Sequence, residues 1–414
     1  MSRTAGAIVV GGGVVGASVA FHLAKAGVRD VVLCERRVLG AGASGKSGSL
    51  VQLHYRTVAD AQLGVLALPY FEHWDDMVGA GSSGFERSGF LALVKAKDVA
   101  LLRTNVDMLR SVGVNTWIVS RDEVADIAPY FDVSDIEAAA WEPGSGYAYS
   151  VGTLHGFAEA AQQRGAKVLE GTEVTSIRHE GGRVRGVDTS RGSIDAPIVV
   201  IAAGAWGIPL LRTLGLEIPL QSVRGQLAVF EWPPMEKDVK LVATIDRPNE
   251  SYFRADKAGS AKLLVGVLGS SSALPDPDQI DEQADTDFVS RARAALQSRI
   301  PGAAYVKTIG GWAGALTLTP DASPIIDRHP SIDGLLVFAG DAGRSFKTSP
   351  AIGLALSQLA LEGKSTAIDL RPFRMSRFAE GDERDLSKDY DDHRGHFYKM
   401  RQDAEHLEPR PTAR

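Results

Sequence analysis

Ala7-Ile8-Val9-Val10-Gly11-Gly12-Gly13-Val14-Val15-Gly16 joins a short β-branched run to a glycine turn, and Val14 to Ala26 then repeats apolar residues at helical spacing as far as Gly27, a C-terminal cap. Val31-Val32-Leu33 follows as a second strand. The first 35 residues therefore predict a βαβ unit, whose parallel strands belong in a sheet covered on both faces. Within it, Gly11-x-Gly13-x-x-Gly16 is answered by Glu35, nineteen residues after Gly16 at the end of the second strand. The glycines permit a tight turn, close approach of backbone to a pyrophosphate, and close helix–strand packing. The helix start at Val14 and Val15 offers unpaired N–H groups and a partial positive charge to phosphates. Glu35 is placed to accept hydrogen bonds from ribose hydroxyls. The combination predicts dinucleotide binding; a purely structural glycine turn is the competing reading.

Composition narrows the remaining classes. The chain has 414 residues, 44 of them Gly and one Cys, with a formal net charge of −6. This length suits two packed domains or one large composite one, and 44% apolar with 23% charged residues is an ordinary globular composition. A lone Cys34 allows neither an intrachain disulfide nor a thiolate metal cluster, which points to a reducing, cytoplasmic setting. Mild acidity without clustered Lys and Arg argues against nucleic acid as a partner. The charge-free stretch from Ala5 to Phe21 after Arg3 imitates a signal peptide, but the Gly11-Gly12-Gly13 triplet is a poor interior for one. No other run reaches the ~20 apolar residues of a membrane span.

Later segments extend the pattern. Ile198 to Ala202 and Leu335 to Ala339 look like buried strands ending at Gly204 and Gly340, as in an α/β sheet whose ligand sits at the carboxyl ends of its strands. Val174 to Ile177 and Val184 to Val187 flank a Glu180-Gly181-Gly182-Arg183 hairpin turn. Strand-like runs at Leu227 to Phe230, Leu263 to Leu268 and Tyr305 to Ile309 surround a helical pattern from about Ala284 to Leu296, and Ser120-Arg121-Asp122-Glu123 reads as a capping box. The fold class expected is α/β, α+β overall. A Rossmann-like cofactor domain is assembled from residues 1–85, 145–218 and 318–375, with an antiparallel-sheet substrate domain from 86–144 and 219–317. Residues 376–414, rich in charge at Asp382-Glu383-Arg384-Asp385 and Asp391-Asp392-His393-Arg394, read as a solvated or partner-contacting extension.

Two further loops favour FAD over NAD. Ser44-Gly45-Lys46-Ser47-Gly48-Ser49 supplies small and hydroxyl residues for a second phosphate or a ribityl chain, which an NAD enzyme does not need. Gly340-Asp341-Ala342-Gly343-Arg344-Ser345-Phe346-Lys347 leads to Ser349-Pro350, a cap followed by proline in a helix's first turn. A helix from Pro350 to about Leu361 would aim its positive end at the negative charge of a reduced flavin.

With these motifs in order, the chain resembles the D-amino-acid oxidase superfamily, and within it the sarcosine oxidase, dimethylglycine dehydrogenase and glycine oxidase group. The carriers are Gly11 to Gly16 with Glu35, Ser44 to Ser49, Val200 to Trp206, Val223-Arg224-Gly225-Gln226, Tyr252-Phe253-Arg254, Thr319-Pro320-Asp321 with Pro324-Ile325-Ile326, and Gly343 to Lys347 with Pro350 to Gly353. The resemblance spans about residues 5 to 370. It implies FAD and oxidation of a C–N bond next to a carboxylate, in a secondary or tertiary amine acid, by hydride transfer to flavin N5 and hydrolysis of the resulting imine. The cofactor contacts it implies are Gly11, Gly13, Val14, Val15, Gly16, Glu35, Arg36, Ser44 to Leu50, Val174, Ala203, Gly204, Trp206, Gly340, Asp341 and Gly343 to Lys347. Lys347 lies where relatives pair a lysine with the substrate carboxylate; a helix-flanking surface lysine is the plainer alternative.

The departures from the family pattern are specific. Leu50-Val51-Gln52-Leu53-His54-Tyr55 places Gln52 where an arginine ordinarily forks a carboxylate, and Gln cannot supply that charge. Arg56, Arg254 and Arg344 are the candidates to compensate, and Arg344 itself replaces a frequent His. His54 is a candidate base or substrate-orienting group, with a structural role as the alternative. The position of the flavin-linking cysteine in some sarcosine oxidases is Gly314 here, so the thioether cannot form and noncovalent FAD is expected. Leu264 occupies the place of a lysine that speeds oxygen reduction in relatives, with Lys262 two residues earlier. Either molecular oxygen or another electron acceptor is therefore open. The alternatives are an FAD-bearing subunit of a heteromeric amine dehydrogenase, a flavin monooxygenase and an NAD-dependent dehydrogenase. The partners expected are a small-molecule amine or amino acid, with a homo- or hetero-oligomer possible and no metal site.

Overall fold

The computed structural model describes residues 3–231, 241–256 and 262–385, together with Tyr390, Phe397, Lys399 and Gln402. The βαβ unit forms as its sequence dictates: strand Ala7–Val10, helix Val14–Lys25 and strand Val31–Cys34. Gly27 ends the helix with φ +90°, and the Val28 N–H returns to the Leu23 carbonyl at 3.1 Å, the bond pattern of a glycine-terminated helix. These strands belong to a six-stranded sheet ordered Ile325–Arg328, Leu335–Ala339, Val199–Ile201, Ala7–Val10, Val31–Cys34, Lys167–Leu169. All neighbours are parallel except Ile325–Arg328 at the edge.

Strand alternation assigns the two faces. Ala7, Val9, Val31 and Leu33 pack toward the helices Val14–Lys25, Ser150–Gln163 and Ser349–Glu362. Ile8, Val10, Val32 and Cys34 pack the other way, against Val174, Ile177, Val187 and Ile194. That second cover is a four-stranded sheet made of Arg3–Thr4, Gly192–Asp195, Arg183–Thr189 and Val174–Glu180. The hairpin turn within it puts Gly181 and Gly182 at φ +57° and +73°, the conformation a two-residue turn between twisted strands requires. Because helix Val14–Lys25 is enclosed on nearly all sides, its apolar residues do not segregate to one stripe. Its crossing with Ser349–Glu362 is close: a Cβ on Gly353 would lie 2.2 Å from Ser18 Oγ.

A nine-stranded sheet forms the second layer, built from Phe90–Val94, Trp117–Ser120, Ala138–Glu142, Gln221–Glu231, Ala243–Asp246, Ser251–Ala255, Lys262–Val267, Ser272–Ala273 and Lys307–Leu318. It is antiparallel apart from one parallel pair, Ala243–Asp246 with Phe90–Val94. Ser120 caps helix Arg121–Ile127 with both bonds of the capping box. Three sequence expectations are corrected. Tyr305 belongs to a short 3-10 turn, Pro301–Tyr305, and the strand begins at Lys307 and runs on to Leu318. Ser349 is inside its helix rather than capping it, and its hydroxyl donates to the Phe346 carbonyl at 2.8 Å. The segment after residue 376 is not uniformly solvated: Arg377 is buried and bonds Asp321 at 2.8 and 3.0 Å, which also explains the Asp of Thr319-Pro320-Asp321. Arg384 reaches Asp60 at 3.5 Å. Asp391-Asp392-His393-Arg394 lies outside the described residues. Among the described residues no helix is long and apolar enough to cross a membrane.

Candidate active site

A cavity of about 770 Å³ lies at the carboxyl ends of the parallel strands, between Val10, Cys34, Ala202 and Ala339 on one side and Leu227, Ile245, Val267 and Leu316 of the second sheet on the other. Its size falls within the ~300–1,000 Å³ of small-molecule and cofactor sites. One end is built by the glycine turn. Gly11 has φ +109°, and a Cβ there would meet the Ala202 carbonyl at 2.5 Å. The Gly12 and Arg37 N–H groups donate to the Glu35 carboxylate at 2.8 and 2.7 Å, fixing the acid beside the turn. Ser44, thirty residues along the chain, accepts from the Val14 N–H at 3.0 Å, so the second loop is tied to the same helix N-terminus. Gly13, Val14, Val15, Ser47, Gly48, Ser49, Leu50, Val174, Ala203 and Gly204 also line the cavity.

Other cationic residues at this end are tied to the segment 276–285, which sequence reading did not single out. Arg36 pairs with Asp278 and stacks 5.3 Å from the Trp206 ring, whose Nε1 donates to Asp278 at 2.7 Å. Lys46 donates to the Ala41 carbonyl and to Glu282 at 2.8 and 2.9 Å. Arg36, Lys46 and Trp206 remain part of the lining. Cys34 is buried in its strand, and burial alone pushes its thiol up to about 12, so it is a packing residue that touches the cavity wall.

The other end gathers Gln52, His54, Tyr55, Arg56, Arg247, Tyr252 and the run Asp341–Lys347. Lys347 is buried and stands 5.1 Å from the centre of the Tyr55 ring. Burial lowers its ammonium to about 7; Arg344 and Arg56 act in the same direction, while Glu142 and Asp60 oppose them. Glu142 was missed from sequence, although an acid ending the buried strand Ala138–Glu142 was a visible signal. Its Oε2 accepts from the Leu53 N–H at 2.8 Å and the Ser145 hydroxyl at 2.7 Å, and Oε1 has no partner. Burial pushes this carboxyl up to about 7. The Gln52 side-chain oxygen accepts the His54 N–H, bending its own loop. His54 Nε2 meets the Tyr390 hydroxyl at 3.2 Å, whereas Nδ1 is buried without a partner. Burial, then Arg247 and Arg56, push its imidazole down to about 3, so it is neutral. Desolvation pushes the Asp341 carboxyl upward, offset by N–H groups of Gly343 and Thr317.

Four of the candidate residues do not line the cavity. Gly16 and Gly45 act one step back, since a Cβ on either would strike the carbonyls of Gly11 and Gly40 at 2.0 and 2.4 Å. Gly340 turns the chain at φ +70°, close to Thr319. Arg254 is not brought to the cavity: its guanidinium donates to the carbonyls of Gly48, Ala255 and Asp256 and stacks on Tyr147, so it holds the Ser44–Ser49 loop from behind. Its neighbour Tyr252 takes the place on the wall, and its ring lies where a Cβ on Gly266 would be, 2.1 Å away. Leu264 and Lys262 are both absent from the wall; Lys262 stands opposite Glu231 in the strand register, at the outer end of the sheet. Among the described residues no cluster of His, Cys, Asp and Glu is arranged to hold a metal.

These features fit a dinucleotide flavin: a side-chain-free cradle at Gly11, a helix N-terminus, a fixed acid, and an orphaned buried nitrogen on His54 at the opposite end. Comparison with protein families decides the matter, because the family model described as DAO, FAD dependent oxidoreductase, matches residues 7–359. The chain is a member of this DAO family. Curated relatives include the sarcosine oxidase subunit beta of Rhodobacter capsulatus, 27% identical over 90% of this chain and 88% of the relative. Monomeric sarcosine oxidase of Bacillus sp. (strain B-0618) is 28% identical over 91% of this chain and 97% of its own. Among solved structures, L-proline dehydrogenase from P. horikoshii superposes with a TM-score of 0.85 at 25% identity, covering 93% of this chain and all (100%) of that one. As a DAO-family member the protein is an FAD-dependent oxidoreductase whose relatives oxidise amines and amino acids.

Proposed function

We propose that this protein oxidises the C–N bond of a secondary or tertiary amine acid, sarcosine-like or proline-like, yielding an imine that water hydrolyses. The observation that carries the reading is Lys347, a buried lysine on the wall of the FAD cavity with its ammonium over the Tyr55 ring. When bound, FAD supplies the two-electron acceptor for the substrate's α-hydride. Lys347 then holds the carboxylate, and the incoming anion restores the proton that burial disfavours. Arg344 takes the second carboxylate contact in place of the arginine that Gln52 replaces. Arg344 and Arg56 raise the local positive potential, which favours the amine in its neutral form, the form with a lone pair to expel hydride. Neutral His54 presents Nδ1 to that amine. Most of the rate then comes from positioning, as the substrate is held by one end while its α-carbon faces the acceptor.

The sarcosine oxidase subunit beta among the relatives supports a second reading, an FAD-bearing subunit that works beside a partner chain. Anaerobic bleaching of the purified holoprotein with sarcosine, dimethylglycine, proline, hydroxyproline, glycine and opines tests both. Bleaching without reoxidation by oxygen supports a dehydrogenase. Bleaching only in the presence of a copurifying chain supports the subunit reading, and bleaching by NADPH instead of amines overturns the proposal.

A further inference from the structure

We infer that residues 276–285 form a clasp across the nucleotide end of the cavity, in which Asp278 and Glu282, anchored to the second sheet, grip residues on the side of the first and so gate the entry and exit of FAD. The inference depends on FAD binding and is independent of which amine is oxidised.

The segment is fixed to the second sheet. It runs from strand Ser272–Ala273 to helix Thr286–Arg299. Arg224, buried in strand Gln221–Glu231, donates to the Asp281 carbonyl at 2.9 Å, bonds the Gln283 carbonyl, and forks onto the Asp285 carboxylate at 2.9 and 3.1 Å. Gln226 gives to and accepts from Asp285, both at 2.8 Å. The Ala313 N–H donates to the Glu282 carbonyl at 2.8 Å. Breaking such a buried charged fork leaves its ions unpaired, which is costly. The segment therefore stays with its own sheet.

Its grip on the other side is of a different kind. Arg36 and Arg37 follow strand Val31–Cys34, and Trp206 follows strand Val199–Ile201. Asp278 is paired with Arg36 and accepts from Trp206 Nε1 at 2.7 Å. Glu282 accepts from Arg37 at 3.4 Å and from Lys46 at 2.9 Å, and the Lys46 carbonyl is itself held by Trp312 Nε1 at 2.9 Å. Between the two acids, Ile280 packs with Trp206, Ala205 and Ala315. Asp276, Pro277 and Asp278 line the cavity together with the glycine turn and Glu35, so these bonds close the nucleotide end.

Exposure decides which set of bonds yields. The Asp278 and Glu282 side chains are 50% and 41% exposed and Arg37 is 56% exposed, against 11% for Arg224. Exposed ion pairs contribute little each because water screens them, so the clasp parts at Asp278 and Glu282 while its anchor holds. Both carboxyls lie below their ordinary range, Asp278 chiefly through its bond from Arg36 and Glu282 chiefly through its bond from Lys46, which keeps both charged near neutral pH. A gate slows arrival and departure alike, whereas a residue that only touches a ligand acts mainly on departure.

Release of FAD from the holoprotein and rebinding to the stripped full chain, both followed by flavin fluorescence, test the inference. The double variant Asp278→Asn, Glu282→Gln preserves side-chain shape and removes three exposed ion pairs. Release and rebinding should both quicken, each about fivefold or more. Quicker release with unchanged rebinding would make the two acids contacts rather than a gate, and slower release would make them charges that cancel phosphate-binding cations. Either result overturns the inference, as do unchanged rates. A second measurement uses the native holoprotein. A carbodiimide should couple Lys46 to Glu282 as an amide, identified by peptide mass, and should slow exchange of bound FAD for radiolabelled FAD about tenfold or more relative to Glu282→Gln treated alike. Undiminished exchange in the coupled protein, no coupling of this pair where the exposed Lys167–Asp30 pair couples, or a covalently held flavin also overturns the inference.

Discussion

The Lys347 ammonium and the Tyr55 ring face each other at 5.1 Å on the wall of the cavity between the two sheets, and both residues are buried. A cation placed over an aromatic face is stabilised without being neutralised. It remains available to an anion, and burial keeps its proton loosely held.

Lys347→Met should keep FAD bound, because the thioether side chain fills similar space. The apparent constant for the reducing substrate should rise about 10- to 100-fold, the weight of one charge-assisted contact. Anaerobic titration of the flavin band reads both quantities, and an unchanged titration would remove Lys347 from the site.

Binding of an unreactive carboxylate should depend on pH with a definite sign. Lys347 is lowered to about 7, so its ammonium predominates below that pH and the neutral amine above it. The dissociation constant of a small carboxylate should therefore be flat below about 7 and rise about tenfold per pH unit above it. The slope should vanish in Lys347→Met; a flat profile in the native protein would contradict the assignment.

Glu142→Gln should shift that break downward. The side-chain oxygen can still accept from Leu53 and Ser145, but the negative charge that opposes the lowering of Lys347 is gone. A downward move of roughly one pH unit is expected, measured by the same carboxylate titration. An unmoved break would mean that Glu142 is protonated and contributes no charge.

Acid precipitation should release all of the yellow colour into the supernatant. Gly314 lies on the cavity wall without a side chain, and Cys34 is held in its strand with the thiol pushed up to about 12, unsuited to attack. Colour retained in the pellet would establish a covalent link.

Arg299→Met should destabilise the protein by about 3–5 kcal/mol, since it leaves the Asp246 carboxylate buried without its counter-ion. Denaturant unfolding followed by tryptophan fluorescence gives the size. A loss below about 1 kcal/mol would show that Asp246 is solvated or protonated in the variant.

Local patterns were legible because they are local in cause. The helix after the glycine turn, the Gly181-Gly182 hairpin and the Ser120 capping box each follow from contacts a few residues apart. Residues whose roles depend on distant partners were misread or missed. Arg254, a substrate-contact candidate from sequence, donates to the Gly48 carbonyl 206 residues away, while its neighbours Ala255 and Asp256 accept from its other donor. Asp321 of the Thr-Pro-Asp motif has its explanation 56 residues away, in Arg377. Tyr390 had no local signal at all, and its hydroxyl bonds His54 across 336 residues.

By itself the amino-acid sequence determined a dinucleotide-binding βαβ start, the order of the cofactor loops and the lack of a cysteine at residue 314, because backbone conformation and side-chain absence are properties of the residues themselves. Only the tertiary structure decided which charges share a wall. Electrostatic coupling acts through space and strengthens away from water, and it was the packing of distant segments that brought Glu142 within reach of Lys347 and Arg247 within reach of His54.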